Sequence, residues 1–105
     1  MEKNISMIRG NTVAFGMEFL DLDQDLDLAY FTVKPSYDGE IVFQKELGDG
    51  IEKVETGKYR LRIAPEDTEE VTPGMYYYDL VIGVNSDVYT IITGILDIAY
   101  EVTEV

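Results

Sequence analysis

The side chains in this sequence that can do chemistry are carboxylates, lysines, arginines, tyrosines and serines, because the chain has neither histidine nor cysteine. Without histidine the usual general base near neutral pH and the commonest transition-metal ligand are missing. Without cysteine there is no disulfide framework and no thiolate nucleophile. Ser6, Ser36 and Ser86 therefore have no imidazole to activate them. The 21 carboxylates are too many for any one pair to stand out as the acid and base of a glycosidase. Gly48-Asp49-Gly50 has neither the spacing nor the following helix of a phosphate-binding loop. These residues predict no catalytic site and no cofactor, so the chain reads as a non-enzyme.

Three constellations remain. Asp21, Asp23, Asp25 and Asp27 alternate along a turn. Hard cations want several such oxygens, but the EF-hand template requires a glycine and a glutamate where this chain has Leu26 and Thr32. A solvated turn is expected, with an irregular calcium site as the alternative and no metal ligand assigned. Lys58, Arg60 and Arg62 share one face of a strand and hold three of the eight basic residues. They form either a docking stripe for an acidic partner, a second copy included, or a set of weak cross-strand pairs. Tyr76-Tyr77-Tyr78 suggests an aromatic platform, but successive strand residues point to opposite faces. Tyr76 and Tyr78 are therefore expected in the core. Tyr77 is the interface candidate, with Tyr30 and Tyr37 behind it.

The whole chain sets limits on partners. Its 105 residues fit one domain spanning 1–105. With 46% hydrophobic residues it can bury a core, which argues against a disordered tail. The net charge of −13 repels phosphate backbones and anionic lipid, so neither nucleic acid nor membrane is an expected partner. No run of about 18 apolar residues is present, and Met1 to Asn4 lead into too short an apolar stretch for a signal peptide.

The elements that position these residues are short strands. Val13, Phe15, Met17 and Phe19 alternate with smaller or polar residues, as a half-buried strand requires. Before them, Asn4 to Arg9 reads as an edge strand or arm. Ala29, Phe31 and Val33 alternate with Tyr30, Thr32 and Lys34 until Pro35 ends the run. Strands are expected over Ile41 to Glu46 and Ile51 to Val54. Tyr59, Leu61 and Ile63 then face inward, opposite the basic stripe. A helical turn fits between Pro65 and Pro73. A long strand over 75–84 and a hairpin turn at Asn85-Ser86-Asp87 lead to a last run, Val88 to Tyr100, with Gly94 expected to mark a bulge or bend. This gives about seven or eight strands with turn signals roughly every 8–12 residues, the pattern of an all-β sandwich or barrel. Tyr76 follows the Pro73-Gly74 turn, where a tyrosine hydroxyl can bond back to upstream backbone and pin a Greek-key crossover. That corner favours an immunoglobulin-like antiparallel β-sandwich.

The same residues resemble a family. Arg9-Gly10-Asn11-Thr12, then Phe15, Met17, Phe19 and Asp21, look like the opening of the N-terminal domain of phage baseplate upper proteins. The resemblance continues through Asp25-Leu26, Ala29, Phe31, Val33 and Lys34, then Gly57-Lys58-Tyr59-Arg60-Leu61 and Asp67-Thr68. It is strongest at Pro73-Gly74-Met75-Tyr76-Tyr77-Tyr78-Asp79-Leu80 and closes with Thr90-Ile91, Gly94, Leu96 and Ile98. The resemblance implies an immunoglobulin-like structural domain of a phage tail or baseplate, made in the bacterial cytoplasm and residing in the virion. It implies contacts with other virion proteins, and a homo-oligomer, with a trimer as the first expectation. The competing expectation is a carbohydrate- or calcium-binding sandwich.

Overall fold

The computed structural model describes residues 1–104. The chain forms eight strands: β1 (Ile5–Ile8), β2 (Val13–Glu18), β3 (Leu28–Lys34), β4 (Phe43–Leu47), β5 (Gly50–Glu55), β6 (Lys58–Ile63), β7 (Gly74–Val84) and β8 (Asp87–Ala99). One helical turn, α1 (Pro65–Thr68), sits between β6 and β7. Hydrogen bonding links all eight strands in the order β1-β8-β7-β3-β4-β5-β6-β2. The ladder folds over where β4 turns into β5 at Gly48-Asp49, a junction with only two paired positions, Glu46 with Gly50 and Leu47 with Ile51. Two layers result. The first is β1-β8-β7-β3-β4, and the second is β5-β6-β2.

The core lies between the layers. Phe31 and Val33 on β3, Tyr78 and Leu80 on β7, and Leu96 and Ile98 on β8 meet Ile51, Tyr59, Leu61 and Ile63 from the second layer. Phe15 also reaches in, but β2 is covered on one flank only, so its inward row stays half-buried. Leu22 and Leu26 pack on this core while Asp21, Asp23, Asp25 and Asp27 point to solvent. The acidic turn thus keeps strand-like alternation. Among the described residues no three carboxylates converge as a cation site would need.

The boundaries expected for β3, β6 and β7 hold closely. β4 begins at Phe43, not Ile41, and Ile41 is exposed in the preceding loop. The last strand departs more. Its irregularity falls where Leu80 pairs with Ile92 and Val81 with Thr90, so Ile91 is the extra residue. Ile92, Gly94, Leu96 and Ile98 then share one parity without interruption. Gly94 is not a bulge. A Cβ there would lie 1.9 Å from the Lys3 carbonyl oxygen and 3.0 Å from the Tyr78 ring. The glycine lets the N-terminal segment lie against β8. Asn85 and Ser86 both have positive φ, 54° and 70°, the geometry of a two-residue hairpin turn of type I′.

Candidate protein-docking faces

The outer face of the first layer carries a groove of about 490 Å³. Its floor comes from Thr32 and Lys34 on β3, Gln44 on β4, Tyr77 and Asp79 on β7, and Thr93 and Ile95 on β8. Pro35 stops β3, and Ser36 starts a turn closed by the Gly39 N–H donating to the Ser36 carbonyl at 3.1 Å. That turn swings Tyr37 back over the sheet. Because Lys34 is registered opposite Tyr77, Tyr37 arrives directly on the Tyr77 ring. The two rings stack with centroids 4.5 Å apart and planes 27° apart. Tyr37 remains 83% exposed, so the stack forms an aromatic rim with one free side.

The N-terminal segment closes the other end of this groove. The Lys3 N–H donates to the Thr93 carbonyl at 2.9 Å, and the Ile95 N–H donates to Asn4 Oδ1 at 3.1 Å. From below, the Tyr78 hydroxyl donates to the Lys3 carbonyl. Burial raises the Tyr78 phenol above its ordinary pKa. The groove therefore presents one ammonium, on Lys34, two carboxylates, on Glu2 and Asp79, and an aromatic rim. On its wall the exposed Ser36 hydroxyl donates to Asp38 Oδ1 at 3.2 Å.

The second face is the outside of the second layer. Lys58, Arg60 and Arg62 project from β6, all exposed. Their cross-strand neighbours differ. Lys58 lies between Glu55 and Glu18, Arg60 between Glu52 and Gly16, and Arg62 beside Ala14. Lys58 Nζ sits 2.9 Å from a Glu55 oxygen, and Lys53 Nζ sits 2.7 Å from Asp25. Those hydrogen bonds raise both ammonium groups above the ordinary lysine value. Cross-strand pairing thus accounts for Lys58. Among the described residues Arg60 and Arg62 make no ion pair within 4.0 Å.

The structure separates the residues singled out by sequence. Tyr37 and Tyr77 meet on one face, and the basic stripe lies on the opposite one. Tyr30 shares the outer face of β3 but pairs with Val81 and Glu46, four residues along the strand from Lys34. It is about 13 Å from the stack by strand rise and outside the groove. Sequence reasoning missed Glu2 and Asn4, which reach the groove only because β1 runs parallel to β8. Gly94 was the available signal, since a glycine inside a strand also marks close backbone approach.

The tyrosine corner is present. The Tyr76 hydroxyl donates to the Thr72 carbonyl across the Pro73-Gly74 turn, although the Tyr76 ring is only half-buried. No family model matches the chain, and no curated protein matches it. Among solved structures it is similar to the extracellular domain of the voltage-gated sodium channel beta4 subunit, whose parallel homodimers are described as explaining its role in cell-cell adhesion. That likeness has 15% identity and a TM-score of 0.50, and covers 96% of this chain and 93% of that one. The second Ig domain of the mouse polymeric immunoglobulin receptor follows at 9% identity and a TM-score of 0.44, covering 99% of this chain and 100% of that domain. At such identities the likeness is one of fold. The chain is an all-β, immunoglobulin-like domain.

Proposed function

We propose that this domain is a non-enzymatic assembly module of a phage tail or baseplate, docking neighbouring particle proteins through the outer face of its first layer. The observation that carries the docking role is the Tyr37–Tyr77 stack on the rim of an open groove. Tyrosine pairs of this kind bury large area at low entropic cost and keep a polar tip for the partner. The tail or baseplate reading is supported by the resemblance of the strand and turn residues to those of baseplate upper proteins. Many copies held in a particle would compensate for a modest individual contact.

Antibody labelling of purified particles from the host tests this reading. The domain is expected in the particle fraction, at the tail end. Tyr37→Ser combined with Tyr77→Ser is expected to keep the melting temperature within a few degrees and to reduce incorporation at least tenfold. Particles devoid of the protein overturn the phage assignment. Carbohydrate binding is the competing reading, because the free side of Tyr37 is also a surface on which a sugar ring can stack. Glycan-array binding by the wild type that Tyr77→Ser abolishes would put carbohydrate recognition in its place.

A further inference from the structure

The folded-over sheet has two ends, β1 and β2, and they lie side by side along one flank of the sandwich. A small apolar opening of about 100 Å³ separates them, lined by Ile5 from β1, by Phe15 and Met17 from β2, and by Leu61, Leu80 and Ile92 below. β2 pairs with β6 over six consecutive positions, from Val13 with Ile63 to Glu18 with Lys58. The Phe19 N–H donates to the Gly57 carbonyl at 2.8 Å, which extends that ladder by one residue and fixes its phase. Odd-numbered residues direct their backbone groups toward β6. The N–H and C=O groups of Ala14, Gly16 and Glu18 therefore point out of the free edge.

An open edge is a template for another strand, and natural edges are usually blunted by lysine, proline, a bulge or a covering loop. Val13-Ala14-Phe15-Gly16-Met17-Glu18 has no lysine, no proline and no register shift. Its outward residues at positions 14 and 16 are the smallest available, and a Cβ built on Gly16 meets nothing within 4 Å. Arg60 and Arg62 stand one strand behind those small residues, unpaired among the described residues and free to arch over them.

We infer that β2 is an interface with a second copy of this chain, the two β2 edges pairing antiparallel about Gly16. The sequence is self-complementary in that register. Gly16 faces Gly16 of the second copy, and Ala14 faces its Glu18. Arg62, Ala14 and the second copy's Glu18 then lie in one row on the outer face, and the symmetry repeats the row. The backbones of Arg62 and that Glu18 are about 9.6 Å apart, within the combined reach of the two side chains. On the inner face Phe15 meets Met17 of the second copy and Val13 meets its Phe19. These residues are half-buried in the single chain, and pairing removes more of them from water. About six backbone hydrogen bonds form across the junction. The contact is isologous and closes at two copies. It belongs to the second layer, whereas the Tyr37–Tyr77 groove lies on the outer face of the first, and it does not depend on that reading.

Sedimentation equilibrium of the purified chain over a concentration series tests the inference. The wild type is expected as a dimer in exchange with monomer. Gly16→Pro removes an N–H that points out of the free edge and leaves the β6 ladder intact. It is expected to weaken dimerisation at least tenfold with the unfolding midpoint retained. If that variant fails to fold, the charge pair decides. Glu18→Arg alone and Arg62→Glu alone are expected to give monomers, and the two together to restore the dimer. A wild type that stays monomeric at every soluble concentration overturns the inference. So does a dimer indifferent to both sets of variants. A dimer lost instead in the Tyr37→Ser, Tyr77→Ser variant overturns the β2 interface while supporting the groove.

Discussion

Gly94 and Tyr78 show how one residue decides where a distant segment lies. The Tyr78 ring fills the core beside Phe31, 5.1 Å between centroids, and its hydroxyl emerges to hold the Lys3 carbonyl. Gly94 provides the space for that carbonyl. Gly94→Ala would drive a methyl into backbone that cannot swing aside. We expect it to cost about 1–3 kcal/mol, read as a lower urea midpoint, together with faster amide exchange at Lys3. Glu101 acts similarly at the other terminus. Its carboxylate accepts from Arg9 Nη2 at 2.8 Å and Nε at 3.0 Å, and Arg9 also lies over the Tyr100 ring at 5.2 Å. The Arg9 hydrogen bond is the largest influence holding Glu101 below the usual carboxylate pKa. A depressed pKa means the tether is fully in place above the unfolded value of about 4.3 and is lost as pH falls through the folded value. Tyr100 ring resonances are expected to shift in that acidic window in the wild type and to stay unmoved there in Arg9→Gln.

At the scale of elements, the corner between the layers is held by an ion pair rather than by apolar packing alone. Lys45 points inward from β4 and is 9% exposed. Its ammonium lies 2.9 Å from Asp67 on α1. Asp67 also accepts from the Ala64 N–H at 2.7 Å, so one carboxylate caps the helical turn and neutralises the lysine. The φ of +99° at Gly50, with the Lys45 stem packed against it, lets β5 start so close to β4. Removing one partner of a buried pair strands the other charge, whereas removing both can be nearly neutral. Lys45→Met is therefore expected to cost about 3 kcal/mol. Lys45→Met with Asp67→Asn should recover part of that loss, and denaturation midpoints of the three proteins check the order.

For the whole molecule, the folded-over sheet fixes which surfaces are available to partners. One flank is closed by the β4–β5 turn, and the other is open between β1 and β2. The aromatic groove and the basic stripe lie on opposite outer faces, so a dimer through β2 leaves both grooves free. Groove variants and edge variants should therefore act independently, one on partner capture and the other on self-association. A net charge of −13 keeps unmatched surfaces apart and leaves close contact to places of local complementarity.

Alternation along the chain was enough to place most strands and their inward rows, because side chains on a strand switch faces at every residue and a dry core accepts only one set. The turns at Pro35, Asn85-Ser86 and Pro73-Gly74, and the hydroxyl of Tyr76, were legible for the same local reasons. What lies across the fold was not. Whether Gly94 marked a bulge or a close approach depended on where residues 1–4 lie. Whether Tyr37 or Tyr30 joined Tyr77 depended on cross-strand register. That β2 is an edge became visible only once β1 was seen to join β8 on the other layer. These are long-range pairings, and a strand's own residues carry no record of which neighbour it lacks.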